Sequence, residues 1–220
     1  MQVIAVPVKS LERTKTRLAP VLSPLERAVL TLAMLEDVLD ACLAQETWEV
    51  WVVSPDDAVG EMAARRGAVV VDEQGGSLLS AVREVEAKVT GATGRLAVLL
   101  GDLPLLSAED LTAGLAVDAP VVAAPAFSDG GTNLLVRRPA TVIPARFGRT
   151  SFAKHRWAAR RARVECREVR SDGLAFDLDR PADLARMLVS GRPGRTLSTC
   201  LEFGLPERLA SGERRTNEGA

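Results

Sequence analysis

Over its first 125 residues the chain alternates short apolar runs with longer amphipathic stretches. Residues 2–8 form the first run, closing near Pro7, and have the character of a buried strand. Ser23-Pro24-Leu25-Glu26 is a helix start, with Ser at the N-cap, Pro in the first helical position and Glu placed to close a capping box. Behind it Leu25, Ala28, Val29, Leu32, Leu35, Val38, Leu39 and Cys42 recur every three or four residues, one apolar stripe of a long helix. Residues 49–53 and 68–71 read as strands, 57–66 and 77–89 as helices. Residues 96–100 are a continuous apolar strand ending on Gly101-Asp102-Leu103-Pro104, followed by a short helix over 107–115 and a strand over 121–125. Strands that are apolar throughout are buried on both faces. This rhythm therefore predicts an α/β fold: a mostly parallel central sheet with helices on both faces.

After residue 126 the rhythm changes. A strand over 132–136, a basic helix over 151–163, a strand over 164–169 and a closing helix over 181–189 are expected. From about Pro206 to Ala220 the chain is polar and rich in Gly, Glu and Arg, and reads as a frayed tail behind a single domain of residues 1–205.

Composition removes several function classes. The 220 residues carry 28 Lys plus Arg against 29 Asp plus Glu, a net charge of −1, which argues against a dedicated nucleic-acid binder. Cys42, Cys166 and Cys200 are far apart and read as reduced thiols. No apolar run approaches the roughly 18 residues of a membrane span, and the N-terminus lacks a signal-peptide pattern, so a cytoplasmic enzyme is expected. His155 is the single histidine, which excludes H-E-x-x-H chemistry; it reads as a surface helix residue rather than a general base. Only four cations are lysines (Lys9, Lys15, Lys88 and Lys154), and three of these fall in segments singled out below. A lysine in an arginine-rich chain hints at a need for a compact point charge.

In an open parallel sheet the reactive site lies beyond the carboxyl ends of the strands. The first such end opens into a long loop with Lys9, Arg13, Lys15 and Arg17 and no glycine, so it would hold phosphates by side-chain cations rather than by backbone. The second is Gly101-Asp102, an acid at the sheet edge where a metal could bridge it to a nucleotide phosphate. In Phe176-Asp177-Leu178-Asp179 the two acids stand two residues apart and, on a strand, would share a face for one hard cation. Asp179 can in addition cap the helix near Pro181. Asp129-Gly130-Gly131-Thr132-Asn133 and Gly148 to Ser151 suit close approach to a ligand, the latter at a helix N-terminus. Arg156, Arg160 and Arg163 line a face of that helix, read as solvated in preference to an RNA-binding stripe. Gly75-Gly76-Ser77 suits either a base-binding turn or a plain start to the next helix.

In this order, V-P-V-K-S with K-T-R-L-A-P, G-D-L-P-L-L, G-G-T-N, A-R-F-G-R-T-S-F-A-K-H and F-D-L-D-R-P-A-D-L resemble the CofC/FbiD family, from Ile4 to about Leu188. Its members are guanylyltransferases of deazaflavin coenzyme F-420 biosynthesis, which implies a Rossmann-like nucleotidyltransferase fold. The resemblance implies GTP and a three-carbon phosphate acceptor as partners and Mg²⁺ as cofactor. It places metal on Asp102, Asp177 and Asp179, and phosphoenolpyruvate on Thr132, Gly148 and Ser151. GTP phosphates then fall to Lys9, Lys15 and Arg17, with Asp102, Lys15 and Arg17 as the catalytic set. Phosphoenolpyruvate is the expected acceptor, 2-phospho-L-lactate the alternative, and a non-catalytic anion- or RNA-binding protein the reading from another class. No nucleic acid or membrane partner is expected; a homo-oligomer is compatible. At Leu78-Leu79 the family often carries Leu-Asn, so guanine recognition here would fall to backbone groups.

Overall fold

In the computed structural model, residues 1–73, 77–89 and 94–217 are described, those after Ser211 by backbone alone. The first half builds β1 (Gln2–Pro7), α1 (Pro24–Leu43), β2 (Glu49–Ser54), α2 (Asp57–Arg65), β3 (Val69–Asp72), α3 (Leu78–Lys88) and β4 (Arg95–Leu99). The second half adds α4 (Ala108–Ala116), β5 (Val121–Pro125), β6 (Thr132–Arg137), α5 (Ser151–Ala162), β7 (Cys166–Glu168), α6 (Asp172–Ala175), α7 (Pro181–Ser190), α8 (Arg195–Glu202) and α9 (Leu205–Asn217). The strands form one sheet in the order β3-β2-β1-β4-β6-β5-β7. β6 runs antiparallel to both β4 and β5, and the other pairings are parallel.

The register follows from period-two burial on both faces. In β1, Ile4 and Val6 pack with Leu35, Val38, Leu39 and Cys42 of α1, while Val3 and Ala5 pack with Ala81, Val82 and Val85 of α3. The capping boxes of α1 (Ser23 with Glu26) and α4 (Ser107 with Asp110) are both formed. The sheet order places a topological switch between β1, whose chain continues to β2 on one side, and β4 on the other. The carboxyl ends of these neighbours therefore leave a crevice into which their loops project. No helix among the described residues is long and apolar enough to cross a membrane.

One expectation is corrected. The residues from Pro206 to Asn217 do not form a frayed tail: they continue α9. Leu205 is fully buried among Leu18, Leu178 and Leu184. The Arg208 guanidinium donates to the Val21 carbonyl (2.9 Å) and to Glu26 Oε1 (2.6 Å). That hydrogen bond, with the Ser23 amide, holds the Glu26 carboxyl down at about 2. One carboxylate thus closes the start of α1 and tethers α9. Leu205→Ala should cost about 2–5 kcal/mol in urea unfolding. A loss below about 0.5 kcal/mol, the range of neutral surface changes, would show that this cluster closes without α9.

Candidate active site

The loop after β1 is fastened on both sides of Lys15. Thr14 and Leu18 are buried; the Thr14 hydroxyl lies 2.9 Å from the Thr31 hydroxyl on α1, and Arg27 Nε donates to the Thr14 carbonyl (3.3 Å). Between these anchors Lys15 adopts left-handed backbone angles (φ 47°, ψ 41°), rare for a side-chain-bearing residue. The turn sends its side chain inward, leaving it 7% exposed, so the ammonium must find partners. It lies 2.6 Å from Asp102 Oδ2 and 3.7 Å from Asp179 Oδ1. Arg17, well exposed, pairs with the other oxygen of Asp179.

Asp102 follows β4 and Lys15 follows β1, so their ion pair spans the switch-point crevice. The segment carrying the other two acids is drawn in by one backbone hydrogen bond, from Leu178 N–H to the Asp102 carbonyl (3.1 Å). Residues 176–179 belong to no helix or strand; buried Leu178 anchors them while Asp177 and Asp179 remain half-buried on either side. Ser128 donates to Asp177 at 3.2–3.3 Å. Burial, and then the neighbouring Asp102 charge, push the Asp177 carboxyl above the usual carboxylate range. Asp102 Oδ1 is buried and has no hydrogen-bond partner. Asp179 does not cap α7; Asp183 does, accepting from the Asp179 and Arg180 amides at 3.0 and 2.8 Å.

A second cluster sits at the start of β6 and the head of α5. Leu100 N–H donates to the Asn133 carbonyl (3.0 Å), which sets Thr132 beside the turn leading to Asp102. The Ser151 hydroxyl donates to Thr132 Oγ1 (3.0 Å), and His155 Nδ1 lies 3.0 Å from the same oxygen. Ser151 and His155 are fully buried and Thr132 nearly so. His155 is therefore not the surface residue expected of it. Its Nε2 accepts from the Arg146 amide (2.8 Å), and burial, with the Arg137, Lys154 and Arg146 charges, pulls its pKa down to about 4. Gly148, at φ +108°, has backbone angles that favour glycine. The loop between β5 and β6 joins both clusters: Ser128 holds Asp177, while the Asp129 and Gly130 carbonyls accept from the Thr150 and Phe152 amides at 3.3 and 3.2 Å.

Residues 1–206 match the family described as "Guanylyl transferase CofC like". The chain belongs to this CofC-like guanylyltransferase family. It is 40% identical over 190 residues to a phosphoenolpyruvate guanylyltransferase of Sphaerobacter thermophilus, covering 84% of this chain and 91% of that protein. A 3-phospho-D-glycerate guanylyltransferase of Phenylobacterium zucineum is 40% identical over 177 residues, 77% of this chain and 81% of the relative. In fold the chain is similar to a candidate nucleotide-diphospho-sugar transferase from Desulfovibrio desulfuricans G20, with a TM-score of 0.79 at 22% identity over 96% of this chain and 97% of that one.

For a CofC-like chain, two groups are thus assembled. Lys15, Arg17, Asp102, Asp177 and Asp179 gather at the crevice; Thr132 and Ser151 join a few residues away, with Gly148 one turn before the helix. Lys9 is exposed and lies in neither group. Arg156 and Arg160 are exposed on α5, and Arg163 is exposed at its C-terminal end. Gly75 and Gly76 lie outside the described residues. Among those described, no three His, Cys, Asp or Glu side chains form a ready metal-ligand group, and the Lys15 ammonium and Arg17 engage Asp179. The α5 amides of Thr150, Ser151 and Phe152 are taken by carbonyls of Asp129, Gly148 and Gly130, so an anion could not have all of that helix start.

His155 yields a pH prediction. Its native pKa of about 4 lies below the ordinary 6.5, so its contribution is fully present above pH 6.5 and is lost as pH falls towards 4. The loss amounts to roughly 3 kcal/mol. Urea unfolding of the parent and of His155→Gln should therefore show a stability gap that narrows from pH 7 to pH 4.5. A gap constant over that range would mean the imidazole is not held neutral.

Proposed function

We propose that the chain moves GMP from GTP onto the phosphate of phosphoenolpyruvate, releasing pyrophosphate, in the route to deazaflavin coenzyme F-420. The observation that carries this reading is the partly buried Lys15–Asp102 pair at the switch point, whose second carboxylate oxygen is buried with no partner. An acceptor phosphate oxygen forms a bond to the α-phosphorus of GTP while the bond to the bridging oxygen breaks, and that electron pair leaves on pyrophosphate. A phosphate monoester is anionic at neutral pH, so no general base is needed. The one histidine is not placed to act as one: it is buried, neutral and engaged at both ring nitrogens. What the chain supplies is alignment and charge, with Lys15 and Arg17 facing the triphosphate, Thr132 and Gly148 the acceptor, and Ser151 supporting the acceptor side through its bond to Thr132.

The donor set suits Mg²⁺. Asp102 Oδ1 is an orphaned hard oxygen, and Asp177 is raised by burial and by Asp102, as expected of two carboxylates short of positive charge. Asp102 and Asp177 would hold the cation, joined by Asp179 once Lys15 and Arg17 turn to phosphate. When bound, it would supply positive charge to the triphosphate. Phosphoenolpyruvate is the acceptor named for the Sphaerobacter relative. 2-Phospho-L-lactate differs from it only in the saturation of one carbon–carbon double bond and is the comparison to run.

The test is to incubate the protein with GTP, Mg²⁺ and, separately, phosphoenolpyruvate, 2-phospho-L-lactate or 3-phospho-D-glycerate, and follow pyrophosphate. Fastest release with phosphoenolpyruvate is expected; a preference for another acceptor would overturn that part of the reading, and release with none would overturn it whole. Asp102→Asn and Asp177→Asn should each lower turnover by on the order of a hundredfold while the fold persists. Turnover within a few-fold of the parent in both would reduce these acids to turn-forming residues.

A further inference from the structure

We infer that His155 is a positioning residue for the acceptor: it holds Thr132 so that the threonine hydroxyl can only donate, towards the acceptor's anionic oxygens. This rests on the reading of Thr132 as part of the acceptor subsite. The argument is a proton count. Nε2 accepts the Arg146 amide at 2.8 Å, so that nitrogen carries no hydrogen. A neutral imidazole has one N–H, which must then sit on Nδ1, aimed at Thr132 Oγ1 3.0 Å away. The Ser151 hydroxyl donates to the same oxygen at 3.0 Å. Two donors fill both acceptor positions of the Thr132 hydroxyl. Its own hydrogen meets no acceptor among the described residues.

A free hydroxyl rotor can donate or accept, and orienting it on binding costs affinity; a hydroxyl already locked as a donor suits an anion and disfavours a donor group. Phe147, edge-on to the imidazole with ring centroids 5.6 Å apart, restrains the ring itself. The Arg146 amide ties the 145–148 turn to the same ring, so one side chain sets both the threonine hydroxyl and the approach to Gly148.

The experiment is a double-mutant cycle read in substrate affinities, with pyrophosphate release as the signal and the preferred acceptor and GTP varied in turn. Thr132→Val should raise the acceptor KM about tenfold, the scale of one hydrogen bond to a charged group, and leave the GTP KM alone. If it leaves the acceptor KM unchanged, the acceptor subsite is misplaced and the underlying reading fails, whatever His155 does. His155→Ala should raise the acceptor KM similarly, and the double variant should be no worse than Thr132→Val. Two penalties that multiply, or an equal rise in the GTP KM, would show that the histidine acts only on the fold. Should His155→Ala not fold, two amides decide the matter. His155→Asn can place an N–H where Nδ1 stands, whereas His155→Gln reaches only towards Arg146. Asparagine must keep the acceptor KM nearer the parent's than glutamine does; equal values, or the reverse order, overturn the inference.

Discussion

A lysine ammonium with 7% of its side chain exposed needs anionic partners, and much of the geometry at the carboxyl edge of the sheet meets that need. Thr14 and Leu18 pin the chain on either side, so the left-handed backbone of Lys15 is over-determined by its neighbours. Asp102 enters from β4, and the amide of Leu178 draws Asp177 and Asp179 in behind it. The charges do not close, however. Three carboxylates face two cations, and the one left without a partner cation, Asp177, has its pKa raised by burial and by Asp102. A site one positive charge short favours uptake of a cation. On the proposed function, its own cations would then turn towards an incoming polyanion, and the groups that stabilise the crevice would become those that bind the nucleotide.

The second cluster is tied to the first by covalent continuity. The loop between β5 and β6 spends Ser128 on Asp177 and its next two carbonyls on the start of α5. Gly131 permits this turn, since a Cβ there would meet Asp129 Oδ1 at 2.7 Å. A shift of the acids would thus be felt at α5, and with it at Ser151 and Thr132. For an in-line transfer between two bound phosphates such stiffness matters, because the reacting oxygen must be held within a few tenths of an ångström of its line of attack.

What the sequence disclosed was whatever local chemistry decides. All seven strands and the α1 capping box were readable, since a strand's burial and a serine followed three residues later by glutamate are written in neighbouring positions. The Asp177–Asp179 segment was legible as a pair of acids but not as an irregular hook, because its shape depends on Leu178 bonding to Asp102, 76 residues away. α9 was missed for the same reason: its composition is polar, and what docks it is Leu205 in a distant cluster and Arg208 on Glu26, 182 residues earlier. His155 is a different failure. Ser151, His155, Ala158 and Ala159 do recur at helical spacing and are the buried stripe of α5. Small and polar residues among arginines mask such a stripe from any hydrophobicity count.

The preference for lysine at position 15, in a chain where nearly every other cation is arginine, has a geometric cause. A point charge can stand between carboxylates on two different segments, 2.6 Å from one and 3.7 Å from the other, and shift between them by rotating its stem. A guanidinium would fork onto one carboxylate and hold it in a fixed plane. Arg17, which needs only to reach Asp179 from the solvent side, bears no such constraint. Two cations of equal charge thus divide the site: a compact one inside the crevice, able to exchange partners, and a planar one at its rim. On the proposed function, that division would let the buried cation pass from carboxylate to phosphate without leaving its charge unpaired on the way.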